Sequence, residues 1–466
     1  MGWFNAGNIG IFRYFYNLSK SLTNVDIPNP SKRKKMNNSE MMQRDLTHIW
    51  HPCTQMKDHE TIPLIPIRSA RGVWLEDFDG NRYIDAISSW WVNLFGHANP
   101  YIGEVLTKQA ATLEHVLLAG FTHEPAVRLA ERLCALAPGS LNRLFFADNG
   151  SSAVEVALKM SYHAHLNSGE ERPLFLSLTN SYHGETIGAL SVGDVELYKK
   201  IYEPILLRSV QTPVPADRSE EAARKAVEDL EAILKVHAKR ISALIVEPLV
   251  QCAGNMHMYH PLYLELAKKL CESYNIHLIA DEIAVGFGRT GTMFACEQAG
   301  VVPDFMCLSK GITGGFMPLA AVLTTDEIYG SFYCDYLEYK AFLHSHSYTG
   351  NPLGCSCANA VLDIFEKSDV LKENEKRAEL MGRLLEPFKE LSNVKEVRQT
   401  GMIAAVELEG YEPAERVNLK LFDFCLKRGV FVRPLGSVLY FMPPYVITED
   451  EMKQMIDTAY EAVKSL

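Results

Sequence analysis

Short apolar runs recur along this chain with room for one helix between neighbours, and this rhythm constrains the fold more than any other feature. RLFFAD (143–148), LFLSLTN (174–180), ALIVEP (243–248), IHLIADE (276–282) and DFMCLSK (304–310) read as buried strands. Helical patterns at 152–166, 221–238 and 262–274 lie between them. Strands without polar-out alternation must be covered on both faces, and the intervening helices supply that cover. The pattern predicts an α/β fold on a mainly parallel sheet. From about residue 370, helices near 374–390 and 415–428 and strands near 402–407 and 430–433 predict a smaller α/β unit.

A chain of 466 residues, 47% apolar and 22% charged, has ample material for a large core. Its net charge of −11 argues against nucleic acid or an anionic membrane as partner, since phosphate binding needs an excess of Lys and Arg. No apolar run approaches the roughly 20 residues that span a bilayer. The 10 cysteines follow no disulfide or metal-site spacing, Cys355 and Cys357 being the nearest pair. They read as reduced thiols of a cytoplasmic protein without a metal centre. Residues 1–45 differ in character. An aromatic stretch (Trp3, Phe4, Phe12, Tyr14, Phe15, Tyr16) is interrupted by Arg13 and Asn17, so it is not a secretory signal, and the basic run Lys32–Lys35 follows. This segment is expected to be a disordered extension rather than a weak organelle-targeting peptide, and residues 1–40 are expected to be dispensable.

Ligands of such sheets bind beyond the carboxyl ends of the strands, which directs attention to Asn149-Gly150-Ser151, Tyr182-His183, Glu247, Asp281-Glu282 and Ser309-Lys310. A lysine directly after a buried strand is costly to desolvate. Lys310 is either a surface residue just past the strand or a Schiff-base lysine for a cofactor aldehyde. Asp281, taken singly, reads as a helix cap. Together with Lys310 it fits a pyridoxal-type ring, whose nitrogen needs a carboxylate to stay protonated and act as electron sink. Gly150 and Ser151, between a strand and a helix, suit a phosphate through the free N–H groups at the helix start, although Asn-Gly-Ser is also an ordinary turn and cap. Tyr182 either stacks on a cofactor ring or fills core. Gly286-Phe-Gly288-Arg-Thr-Gly291 matches the dinucleotide fingerprint by letter only. Its first glycine stands several residues past the strand, and no helix pattern opens within it.

LIADEIAVGFGRTG followed by DFMCLSKGITGG resembles the signature of the class III, pyridoxal-phosphate-dependent aminotransferases, and the resemblance extends from about residue 47. HIWHPCTQM, DAISSWWVNLFGH, YHGET, EPLVQCAG, GNPLGC and VRPLG…YFMPPY look like one branch of that family, the transaminases that make 7,8-diaminononanoate in biotin synthesis. The resemblance implies fold type I of the pyridoxal-phosphate transferases. A large domain (88–367) would bind the cofactor, and a smaller α/β domain would be built from both chain ends (46–87 and 368–466). It further implies that Lys310 carries pyridoxal 5′-phosphate and moves the proton, that Asp281 pairs with the ring nitrogen, that Gly150 and Ser151 hold the phosphate, and that Tyr182 lies on the ring. Trp90 would line the substrate pocket beside Trp91, and Arg433 would clamp a substrate carboxylate. The segment His344-Ser345-His346-Ser347 matches one that reaches a neighbouring subunit's phosphate site, so Ser345, His346 and Ser347 are expected there and a homodimer with shared sites is implied. The substrates implied are 8-amino-7-oxononanoate and S-adenosylmethionine, or lysine as donor in some members. Ser345 and Ser347 depart from the family's glycine and threonine. Cys53 stands where an aromatic wall is usual, and it bears on the identity of the donor.

Overall fold

The computed structural model describes residues 36–466. At its centre is a seven-stranded sheet: β1 (Arg143–Ala147), β2 (Leu174–Leu178), β3 (Ser209–Thr212), β4 (Ile241–Val246), β5 (His277–Asp281), β6 (Phe305–Leu308) and β7 (Ala320–Thr324). Their spatial order is β1-β7-β6-β5-β4-β2-β3. The β6-β5, β5-β4, β4-β2 and β2-β3 pairs are parallel. Only β7 runs against its neighbours β6 and β1. Every residue of β2, β4, β6 and β7 is buried.

Successive residues of a strand face opposite ways, and here each face has its own core. Leu278, Met306 and Leu308 belong to one apolar cluster, Ile279, Phe305 and Cys307 to the other. Helix Gly150–Asn167 covers the second cluster through Val154, Ala157, Leu158 and Ala164. Helix Glu220–His237 sends Ala223, Ala226, Leu230 and Leu234 into the first, at the helical spacing that a one-sided cover requires. The side chains of Asn149 and Ser219 accept backbone N–H bonds at the starts of these two helices.

Nearer the C-terminus, Val394–Thr400, Ile403–Leu408 and Val438–Phe441 form an antiparallel three-stranded sheet. Val430–Phe431 pairs in parallel with Arg82–Asp85, so a late segment and an early one share a sheet. All these elements belong to one compact unit, residues 69–76 with 81–466. The other unit comprises residues 1–68 and 77–80. There the expected disordered extension over 1–45 needs correction. Residues 1–35 lie outside the described residues, but Asn38–His48 is a helix, capped by the Asn37 side chain. Asn38 explains why the helix is held: its Nδ2 donates to Asp77 at 2.9 Å, and its Oδ1 accepts from the Phe78 amide at 2.9 Å. Among the described residues no helix is long and apolar enough to cross a membrane, and no cluster of His, Cys, Asp and Glu could hold a metal ion.

Candidate active site

The strand ends singled out in the sequence converge. A pocket of about 210 Å³ is lined by Asn149, Gly150 and Ser151 after β1, Tyr182, His183 and Gly184 after β2, Glu247 after β4, Asp281 at the end of β5, and Ser309 and Lys310 after β6. Lys310 opens a short 3₁₀ turn with φ of 43°, a left-handed conformation that a lysine adopts only under constraint. The Ser309 hydroxyl, donating to Leu319 O at 2.9 Å, helps fix that turn. Such strain concentrates at active sites. The Lys310 amine stands 4.7 Å from the centre of the Trp91 ring. Burial holds it below the usual lysine range, while Cys252, Asp281 and Glu247 pull the other way.

Asp281 is buried at the head of a small polar chain. Its Oδ1 accepts the Ile283 amide at 3.1 Å, and its Oδ2 meets His183 Nδ1 at 2.8 Å. A carboxylate only accepts, so Nδ1 carries the proton, and the carboxylate keeps lone pairs for one more donor. His183 Nε2 is buried without a hydrogen-bond partner. Glu247 ties two loops together, its carboxylate accepting the amides of Tyr182 (3.0 Å) and Cys252 (3.1 Å). Burial pushes it up to about 7, Asp281 adding to the rise and His183 and Lys310 opposing it.

Opposite these groups is the start of helix Gly150–Asn167, where the first N–H groups lack intrahelical partners and the dipole favours an anion. Ser151 Oγ accepts the Glu185 amide at 3.0 Å, which leaves its own proton for a ligand. Gly184, at φ +129°, is forced: a Cβ there would lie 2.0 Å from Ser151 Oγ. The Tyr182 loop is thereby pressed directly against the helix start. Tyr182 itself packs edge-on to Tyr198, with ring centres 5.6 Å apart. A carboxylate with spare acceptor capacity, a desolvated lysine and an anion-ready helix end in one pocket fit a pyridoxal phosphate by the chemistry of each donor.

The two tryptophans have different surroundings. Trp91 lines the pocket, buried, with its Nε1 donating to Tyr440 OH at 3.2 Å. Trp90 is 41% exposed, with the Arg433 guanidinium 5.0 Å over its ring. The reason is local. Ser88, Ser89, Trp90 and Trp91 all have φ between 46° and 77°, one turn of left-handed helix. For non-glycine residues this conformation costs about 1–2 kcal/mol each. His346 lies outside the pocket, with Nδ1 3.2 Å from Asp148 Oδ2, one residue before the cap Asn149. Ser345 and Ser347 are exposed. Cys53 belongs to the other compact unit, where it is exposed with φ of 50°. Sequence reading left His183 and Glu247 without roles, although the signal was present in their strand-end positions. The Gly286–Gly291 stretch forms turns and opens no helix.

Comparisons with known proteins agree with this geometry. The family model for aminotransferase class III matches residues 54–463. The chain is 52% identical over 428 residues to an adenosylmethionine-8-amino-7-oxononanoate aminotransferase of Helicobacter pylori, covering 91% of this chain and 97% of that one. It is 42% identical, over the same shares, to the protein of that name in Geobacter sulfurreducens. Among solved structures, the enzyme of that name from Methanocaldococcus jannaschii superimposes with a TM-score of 0.89 at 36% identity, covering 92% of this chain and 99% of that one. An (S)-enantioselective omega-transaminase from Thermomicrobium roseum gives 0.88 at 29%, covering 93% and 99%. The fold is that of fold type I, and the chain belongs to the class III aminotransferases, enzymes that work with pyridoxal phosphate.

Proposed function

We propose that the chain transfers an amino group from S-adenosylmethionine to 8-amino-7-oxononanoate, giving 7,8-diaminononanoate in biotin synthesis in the cytoplasm. The observation that carries the chemistry is the meeting of Lys310, Asp281 and the Gly150 helix start in one pocket. The substrate assignment is supported by relatives of this name at up to 52% identity. The fold does not choose it, since an omega-transaminase shares it almost as closely.

When bound, pyridoxal phosphate supplies an aldehyde and an electron-accepting ring. Lys310 holds the cofactor through Nζ. Its amine would take and return the proton at the substrate carbon, and burial, which lowers its basicity, suits it to that task. Asp281 holds a proton at the ring nitrogen, with His183 fixing the carboxylate. The amides of Gly150 and Ser151 and the Ser151 hydroxyl bind the phosphate. Tyr182 covers a ring face, and Trp91 walls the pocket beside Lys310. Arg433, laid over Trp90, orients the carboxylate of the oxononanoate. One pocket serves donor and acceptor in turn, so both are oriented over the same lysine. A homodimer completes the site, the segment bearing Ser345, His346 and Ser347 reaching the phosphate of the neighbouring subunit.

A half-reaction assay tests the proposal. S-adenosylmethionine should convert the purified pyridoxal form to the pyridoxamine form, and borohydride should fix the cofactor on the peptide containing Lys310. Conversion by lysine only would refute S-adenosylmethionine as the donor. A Lys310→Ala protein that still holds its cofactor covalently would place the anchor elsewhere.

A further inference from the structure

We infer that Asp85 and His97 are positioning residues for the reaction, acting through the left-handed turn Ser88–Trp91. Four consecutive L-residues do not hold this conformation unaided. Something outside the turn has to fix it. Asp85, fully buried at the end of strand Arg82–Asp85, spends both carboxylate oxygens on the task. Its Oδ1 accepts the Ile87 amide at 3.3 Å, just before the turn. Its Oδ2 accepts the Ser89 hydroxyl at 2.7 Å and His97 Nε2 at 2.9 Å. His97 Nδ1 is therefore the unprotonated nitrogen, and it accepts Asn93 Nδ2 at 3.2 Å, just after the turn. The circuit from Asp85 through His97 to Asn93 thus brackets the turn on both sides. Ser88 adds a third tie, its hydroxyl donating to Met442 O at 2.7 Å.

The turn delivers two neighbouring indoles to two different cations: Trp91 to the Lys310 amine and Trp90 to the Arg433 guanidinium. Neither Asp85 nor His97 lines the pocket. A residue that merely satisfies a buried polar group would affect stability alone. One that sets the turn must also move the surroundings of the cofactor lysine and the grip on the substrate carboxylate, through Trp91 and Trp90 respectively.

This inference rests on the reading of Lys310 as the cofactor lysine, and the experiment keeps the two apart. Asp85→Asn, His97→Ala, His97→Gln and Trp91→Phe holoenzymes are compared by visible circular dichroism of the bound cofactor, KM for 8-amino-7-oxononanoate, and melting temperature. Asp85→Asn and His97→Ala should raise that KM about 10-fold, with a smaller change in kcat. Both should change the dichroism in the sense that Trp91→Phe does. His97→Gln should restore most of the parent behaviour, because its amide N–H takes the place of Nε2–H. The double variant Asp85→Asn with Trp91→Phe should show no further dichroic change, as expected of residues acting through one another. Additive changes, or parent-like KM and dichroism with only a lowered melting temperature, would reduce the pair to a structural role. Should Asp85→Asn fail to fold, the His97 pair decides by the same readouts. Borohydride labelling accompanies each variant. Label away from Lys310 overturns the functional reading, whereas label on Lys310 with unchanged KM and dichroism overturns only the positioning role.

Discussion

At the scale of single residues, Asp281 shows how much a pocket can ask of one side chain. It closes β5, accepts the Ile283 amide, orients His183, and retains acceptor capacity for one more donor. Asn in its place keeps an oxygen for one of these donors but removes the anion that keeps a ring nitrogen protonated. Asp281→Asn should therefore slow the half-reaction by about 100-fold or more, a loss consistent with the weight of electrostatic terms in such sites, while leaving the melting temperature close to the parent's. Stopped-flow spectroscopy of pyridoxamine formation would check this, and a near-parent rate would remove Asp281 from the cofactor site. The meeting of Asp281 and Lys310 in one pocket was legible in the sequence, because a charged residue directly after a buried strand is costly to desolvate. That Trp91 faces Lys310 while Trp90 lies under Arg433 was not legible. Helical and strand periodicities both predict which of two adjacent side chains faces inward, but a left-handed turn follows neither rule.

At the scale of elements, the strongly periodic segments were readable and the short ones were not. Helix Glu220–His237 declares itself by its apolar spacing and its Ser219 cap. The antiparallel β7 (AAVLT) is a brief apolar run after a lysine turn, and no local signal gives its direction; only pairing with β6 and β1 does. Residue identity still matters where elements meet. His277, the first residue of β5, stacks on His165 of helix Gly150–Asn167 at 4.2 Å. Burial lowers the His277 imidazole to about 3, with His165, Lys268 and Arg172 adding to the effect. An unfolded histidine titrates near the ordinary value of 6.5. The folded form therefore binds fewer protons, and stability present above pH 6.5 is lost as the pH falls toward 3. Between pH 7 and 4, the melting temperature of the parent should fall more than that of His277→Asn. Parallel curves for the two proteins would show that the pair does not titrate in this way. The helix Asn38–His48 gives a second test at this scale. A cut after residue 35 should leave the melting temperature unchanged. A cut after residue 40 removes the Asn37 cap and the Asn38 bonds, the cap by itself being worth about 1 kcal/mol, and should lower it measurably.

At the scale of the whole molecule, the segment between β7 and helix Pro352–Lys367 bears on the proposed dimer. Phe332 and Phe342 pack against the core under helix Gly150–Asn167, and Lys159 of that helix meets His344 Nδ1 at 2.9 Å. The same segment turns Tyr333, Tyr336, Leu337, Tyr339 and Leu343 to water, Leu343 being 93% exposed. Isolated apolar residues on a surface mean little, but so many within one short segment suit a contact face. That face continues directly into Ser345, His346 and Ser347, the residues expected at a neighbour's phosphate. A second copy of the chain, as proposed above, would account for both features. Leu343→Glu would place a charge in the centre of such a contact without touching the pocket of its own chain. It should shift the protein, by sedimentation, from twice the mass of one chain toward that mass. The same change should weaken cofactor retention, because the phosphate would lose the partner's contribution while Lys310 and Asp281 remain in place. A variant that stays dimeric and keeps its cofactor as tightly as the parent would rule this face out, and a variant that becomes monomeric with undiminished cofactor affinity would mean that the sites are not shared.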